Sequence, residues 1–69
     1  MSESVYKIIE LVGTSKTSWE EAARLAVETA AKSLDNIRVA EVVELDMKME
    51  DNKVAAYRAK VKVSFKYRQ

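Results

Sequence analysis

Cysteine and histidine are both missing from this 69-residue chain, and glycine, tryptophan and phenylalanine occur once each. The first absence removes disulfides, structural zinc, and thiolate or imidazole metal ligation. It also excludes the Ser-His-Asp and Cys-His catalytic constellations. A single glycine argues against a phosphate-binding loop, which needs further glycines and, in the Walker form, a Lys-Ser/Thr pair. Neither charge sign dominates: 12 basic and 11 acidic residues are mixed along the chain and leave a net charge of +1. There is no basic stripe for nucleic acid and no long block of one sign. Long hydrophobic runs are missing too. No apolar stretch approaches the roughly 18 residues of a membrane span, and the N-terminal MSESVYKIIELVG is charged where a signal peptide is apolar. The expectation is a soluble cytoplasmic protein with neither nucleic acid nor membrane as partner.

What is present must fold around a small core. Residues 1–69 make one domain, and a core of this size rarely supplies more than a few kcal/mol of net stability. With the covalent and metal staples gone, self-association is the one that remains. The strand pattern asks for the same thing. Residues 37–50 and 54–67 read as two extended runs of 14 residues joined at Asp51-Asn52-Lys53, each about 45 Å long at ~3.3 Å per residue. The one helical segment, Ser18 to Leu34, is about 17 residues and spans only about 25 Å. One helix cannot cover such a sheet, so other copies of the chain are expected to do so.

Ser4 to Val12 (SVYKIIELV), rich in β-branched residues, reads as the first strand. Val5, Lys7, Ile9 and Leu11 share one face and Tyr6, Ile8, Glu10 and Val12 the other, so both faces are expected to be partly buried. Gly13 follows as a position wanting φ > 0 between strand and helix. Ser18-Trp19-Glu20-Glu21 fits a capping box, with the Ser18 hydroxyl on the Glu21 amide and the Glu21 carboxylate reaching back. Apolar residues at 19, 22, 23, 26, 27, 30, 31 and 34 form one helical face. Most are alanine, which lets the helix approach the sheet closely. Trp19 opens this face as a packing anchor; its functional alternative is a ligand-stacking platform. Asp35-Asn36 closes the helix.

In the hairpin, Ile37, Val39, Val43, Leu45, Met47 and Met49 are expected on one side of strand two. Ala55, Tyr57, Ala59, Val61, Val63, Phe65 and Tyr67 match them on strand three. Matching faces require paired residues of equal parity, which a three-residue loop at 51–53 provides by pairing 50 with 54. A left-handed Asn52 or Lys53 would complete it. That register sets Asp46 opposite Arg58 and Glu44 opposite Lys60, pairs contributing roughly 0.2–1 kcal/mol each. Strand, helix and hairpin give β-α-β-β. The expected fold is a two-layer α+β domain, a three-stranded antiparallel sheet in order 1-3-2 packed on one helix.

Carboxylates are the remaining chemistry. Glu20/Glu21, Glu41/Glu44 and Glu44/Asp46 lie close in sequence, but acid/base work needs differently tuned carboxylates within a cleft. Surface pairing with Lys and Arg explains them more simply, and no catalytic residue is assigned. A hard cation such as Ca²⁺ takes six to eight oxygen ligands, and no linear run resembles an EF-hand loop. A site built on Glu41, Glu44 or Asp46 would need symmetry to bring several copies together.

The stretches VYKIIELVGTS, SWEEAARLAVETAAKSLDNI, VAEVVELDM and YRAKVKVSFK together resemble the dodecins over about residues 4 to 67, with ELVGTS and VAEVVE the most specific pieces. The resemblance implies a homododecamer, twelve copies forming a hollow sphere of cubic (23) symmetry. It implies storage or sequestration rather than catalysis, with riboflavin or FMN bound and its excited state quenched. In that family a flavin pair sits at a two-fold axis between strand-two tryptophans, with a strand-three glutamine at the ring edge. Matched onto this chain, the tryptophan is Val39, followed by Ala40, Glu41 and Val42; the glutamine is Arg58; a basic residue that can meet the FMN phosphate is Lys66. Val39, Glu41, Arg58 and Lys66 are thus the ligand-binding positions the resemblance implies. Val39 removes a stack worth on the order of 0.5–1.5 kcal/mol beyond burial, and Arg58 cannot reproduce glutamine's paired donor and acceptor. The pattern GTSxTSWE, IRVAxVxExDM and YRxKxxVSFK is similar to a dodecin subgroup described as calcium-binding. Calcium is therefore the alternative ligand, with Glu41, Glu44 and Asp46 as candidate metal carboxylates; a structural shell with a vestigial pocket is the third reading.

Overall fold

The computed structural model describes residues 3–67. β1 (Tyr6–Ser15), α1 (Trp19–Ala31), β2 (Ile37–Glu50) and β3 (Lys53–Lys66) follow one another. The sheet is antiparallel, in order β1-β3-β2. The β-α-β-β fold expected from the sequence is the one the chain adopts.

Two serines build the corner between β1 and α1. Ser15 Oγ accepts from the amides of Thr17 and Ser18 at 2.9 and 3.4 Å. Ser18 caps the helix, its hydroxyl accepting from the Glu21 amide at 3.0 Å. The expected return contact is replaced: the Glu21 carboxylate pairs with Arg24 on the next turn. The helix stops at Ala31, short of Leu34, with Lys32 as its C-cap and the Leu34 amide donating back to the Ala30 carbonyl at 3.0 Å. Asn36, at φ 63, then turns the chain into β2.

Gly13 does not turn the chain. β1 runs on through it to Ser15, and its φ is not positive. Its role is contact: a Cβ there would stand 2.0 Å from the Ala22 carbonyl oxygen and 3.0 Å from the Ala26 Cβ. Only glycine lets the helix backbone settle this close to the strand. Its cross-strand partner is Ala59, so the helix sits on a seam of the smallest side chains.

The buried apolar residues among those described are Ala22, Ala26, Ala30, Ala56, Ala59, Val61 and Val63. Ile9, Leu11, Val27 and Ile37 pack around them partly buried. A fully buried valine contributes about 1.5–3 kcal/mol, so two of them with five alanines make a thin core. α1 lies over β1 and β3 and barely touches β2. Ile8, Val12, Val39, Val42, Leu45 and Met49 remain exposed over a molecule 53 × 20 × 14 Å in extent. The Tyr6/Ile8/Val12 face of β1, expected to be partly buried, is bare in the single chain.

In the hairpin the extra residue required by parity lies in the strand, not the loop. Asp51 (φ 51) and Asn52 (φ 63) are both left-handed and form a two-residue turn, so Glu50 faces Lys53. Asp and Asn tolerate that conformation best among residues with a Cβ, and its twist suits the strands. Just beyond, Met49 faces Val54 but Lys48 faces Ala56, leaving Ala55 as a bulge. Asp46 then faces Arg58 and Glu44 faces Lys60, as expected. Two further bulges, at Val43 and Arg38, interrupt β2. Leu45 and Met47 share the helix side with Ala59 and Tyr57; beyond Val43 that side is taken by Val42 and Ala40. Val39 therefore leaves the expected apolar series and joins Glu41 on the opposite face.

Candidate functional site

The sheet face away from the helix carries most of the charged side chains of the strands. The central strand β3 presents Arg58, Lys60, Lys62, Ser64 and Lys66 there. β2 sets Asp46, Glu44, Glu41 and Val39 beside the first four, and β1 sets Thr14, Val12, Glu10, Ile8 and Tyr6 on the other flank. The Val43 bulge makes this possible. Glu41 and Glu44 are three residues apart and would point to opposite sides of a regular strand; one extra residue returns them to the same side. Three acids thus meet three bases on successive rungs, roughly 6.6 Å apart along the strand.

The rungs are not equivalent. Arg58 grips Asp46 with two donors, Nε to Oδ1 at 2.7 Å and Nη2 to Oδ2 at 2.8 Å. That hydrogen bonding, helped by the charges of Arg58 and Lys60 and opposed by desolvation, holds the Asp46 carboxyl below its ordinary range. The same bond and the Asp46 charge raise Arg58 further. Lys60 reaches Glu44 at a single contact of 3.3 Å. Glu41 faces Lys62, but no ion pair among the described residues includes it.

Asp46 is also held from the helix side. The Trp19 Nε1–H donates to the Asp46 carbonyl at 2.9 Å, and the indole stands edge-on to Tyr57, centroids 5.1 Å apart at 69°. Trp19 is a packing anchor that ties the start of α1 to β2. It also borders an open groove of about 600 Å³ lined by Glu20, Ala23, Val42 and Leu45.

The ligand positions implied by the resemblance lie on one face but far apart. Val39, 59% exposed, sits beside Ser64, whose hydroxyl donates to the Val39 carbonyl at 3.4 Å. Arg58 is six residues further along β3 from Ser64, about 20 Å away. Lys66 closes β3 and lines a notch of about 630 Å³ with Leu34, Asn36, Phe65 and Tyr67. A single chain does not gather Val39, Glu41, Arg58 and Lys66 around one ligand. Nor does it gather the metal candidates: among the described residues no three acidic side chains stand close enough to hold an ion. Glu10, which the sequence reading left without a role, flanks Lys62 across from Glu41; its signal was the alternation of strand one. No helix among the described residues is long and apolar enough to cross a membrane.

Comparison with known proteins gives one consistent result. The dodecin family model matches residues 5–68. Calcium dodecin of Mycobacterium tuberculosis is 54% identical over 65 residues, covering 94% of this chain and 92% of the relative. Its crystal structure, described as a calcium chelating immunodominant antigen with a novel calcium-binding site, matches with a TM-score of 0.85 over 94% of this chain and 93% of that one. Dodecin from Streptomyces coelicolor, 32% identical, matches with a TM-score of 0.91 over 100% and 99% of the two chains. With its fold, its strand register and nearly its whole length accounted for in this way, the chain belongs to the dodecin family.

Proposed function

We propose that this chain is the subunit of a homododecameric, non-catalytic shell that binds calcium, and that its flavin pocket is degenerate. The observation that carries this reading is the content of the open sheet face. Val39 offers no ring on which an isoalloxazine could stack, and two of the Arg58 donors, Nε and Nη2, are engaged by Asp46. The same face aligns Glu41 and Glu44, one without an ion pair among the described residues and one held by a single lysine contact. The Mycobacterium tuberculosis relative named calcium dodecin, 54% identical, supports the choice of ion.

Calcium needs six to eight oxygens. Glu41 and Glu44 would supply carboxylates, while Asp46 would contribute only if its clasp with Arg58 opened. The remaining oxygens would have to come from carbonyls, water or the same residues of neighbouring copies. Lys60 competes with the ion for Glu44. The bare Ile8, Val12, Leu45 and Met49 supply the apolar surface that assembly covers, which is the ordinary use of large exposed apolar patches.

The test is calcium titration calorimetry on chelator-stripped protein, with light scattering for mass and FMN and riboflavin fluorescence in parallel. Saturable calcium heat and a particle of twelve 7.8 kDa chains are expected. Flavin quenching is expected to be weak, and stronger in Val39→Trp, which restores a stacking ring. Strong flavin quenching without calcium heat would make this a flavin store. Heat from neither ligand would leave a structural shell, and turnover of a redox substrate would contradict the non-catalytic reading.

A further inference from the structure

Asp46 is the one acid of the open face that is held from both sides of the sheet. Its carboxylate receives two Arg58 donors at 2.7 and 2.8 Å, and its carbonyl receives the Trp19 indole N–H at 2.9 Å. Across β3, Thr14 completes the same rung, and Lys60 stands on the next one. We propose that Asp46 is a specificity-determining residue: it closes a phosphate subsite that Thr14, Arg58 and Lys60 would otherwise form on the open face.

A guanidinium presents its N–H groups as a planar fork that fits two oxygens of a carboxylate or a phosphate. Here the Asp46 carboxylate takes the Nε–Nη2 edge of the guanidinium, in the position a phosphate on that edge would take. With the carboxylate gone, the Nε–Nη2 edge of Arg58 and the Thr14 hydroxyl are left on one rung beside Lys60, which Glu44 still contacts at 3.3 Å, and the face gains a positive charge. An ordinary exposed ion pair would be a poor barrier, because two long side chains lose freedom in forming it and open readily. This one is better anchored. Asp46 is short, its backbone is pinned by Trp19, and Trp19 is braced on Tyr57, the neighbour of Arg58 in the chain. The clasp disfavours an anion at the Nε–Nη2 edge of Arg58, independently of which cation the face binds.

The experiment compares the assembled parent with Asp46→Ala and Asp46→Asn in calcium-free buffer, following inorganic phosphate by ³¹P line broadening. Because no calcium is present, a failure of the calcium reading leaves this outcome unaffected. Removing the competing carboxylate is expected to tighten phosphate binding roughly fivefold, and the gain must vanish when Arg58→Gln is added. If the alanine variant does not assemble, the asparagine variant decides, since it keeps the side-chain volume and removes the charge. Phosphate binding equal to the parent's in the assembled variant overturns the proposal. So does a gain that survives Arg58→Gln. Trp19 emission should stay unchanged in both variants, because its hydrogen bond goes to the main chain.

Discussion

The two halves of this sheet use different kinds of residue to opposite ends. Under α1, the β1–β3 half is closed by the chain itself: Gly13, Ala22, Ala26 and Ala59 allow contact so close that a single added methyl would strike the helix backbone. The β2 half and its hairpin are left open, with Val42, Leu45, Met47 and Met49 all substantially exposed. Small side chains are placed where closeness matters, and the large ones are withheld from the chain's own core. The large apolar groups left in solvent are the surface that the proposed assembly would cover. The first half determines the fold and the second determines what the fold becomes.

The sharpest way to break this contrast is inside the closed half. Gly13→Val places side-chain carbon on the Ala22 carbonyl, where only backbone movement can relieve it. Overpacking usually costs 1–3 kcal/mol; with backbone as the obstacle a loss above about 3 kcal/mol is expected. Urea midpoints and soluble yield measure it, and a parent-like midpoint would show that the helix does not sit where it is placed. In the open half, Leu45→Glu leaves the seam untouched but puts a charge where another copy should pack. Isolating a charge in an interface costs on the order of 3 kcal/mol. Light scattering should then show loss of the large particle while far-ultraviolet dichroism keeps its helix signal. An intact particle would mean that Leu45 stays in solvent after assembly. Ser18→Ala comes next: it removes the cap on the Glu21 amide and should cost about 1 kcal/mol in the urea midpoint.

The order of elements, the antiparallel pairing and two of the charge rungs could be read from periodicity, and the cap from the Ser18-Trp19-Glu20-Glu21 pattern. Each miss has a local physical reason. Parity demanded an extra residue near the turn, but a left-handed Asp51-Asn52 pair makes a tight two-residue turn and moves the surplus into the Ala55 bulge. The Val43 bulge did leave a trace: Glu41 interrupts the odd-numbered apolar series, and its spacing of three from Glu44 cannot keep one face of a regular strand. Gly13 reads as a turn in the sequence because glycine serves both turns and close approach, and the chain around it does not say which. The candidate site was legible as residue types and a shared face. It was not legible as a gathered site, since Val39 and Arg58 lie about 20 Å apart along the sheet and only neighbouring copies could unite them.

The smallest expected effect lies on the open face, in the acid limb of stability. In the folded chain the Asp46 carboxyl is held below its ordinary range, first by the Arg58 hydrogen bonds. It therefore adds stability that is fully present above the unfolded-state value and is lost as pH falls through the depressed folded value. Arg58 stays charged throughout, so the loss belongs to Asp46 alone. Asp46→Asn cannot take up that proton. Its urea midpoint should lie slightly below the parent's at neutral pH, and the difference should shrink once the pH drops below the ordinary aspartate range. A difference independent of pH would mean that the asparagine changes packing rather than charge. The shift should be small, because both side chains are nearly half exposed and water screens their attraction. A clasp of this kind adds little to holding the chain together; what it does is occupy the Nε–Nη2 edge of the guanidinium.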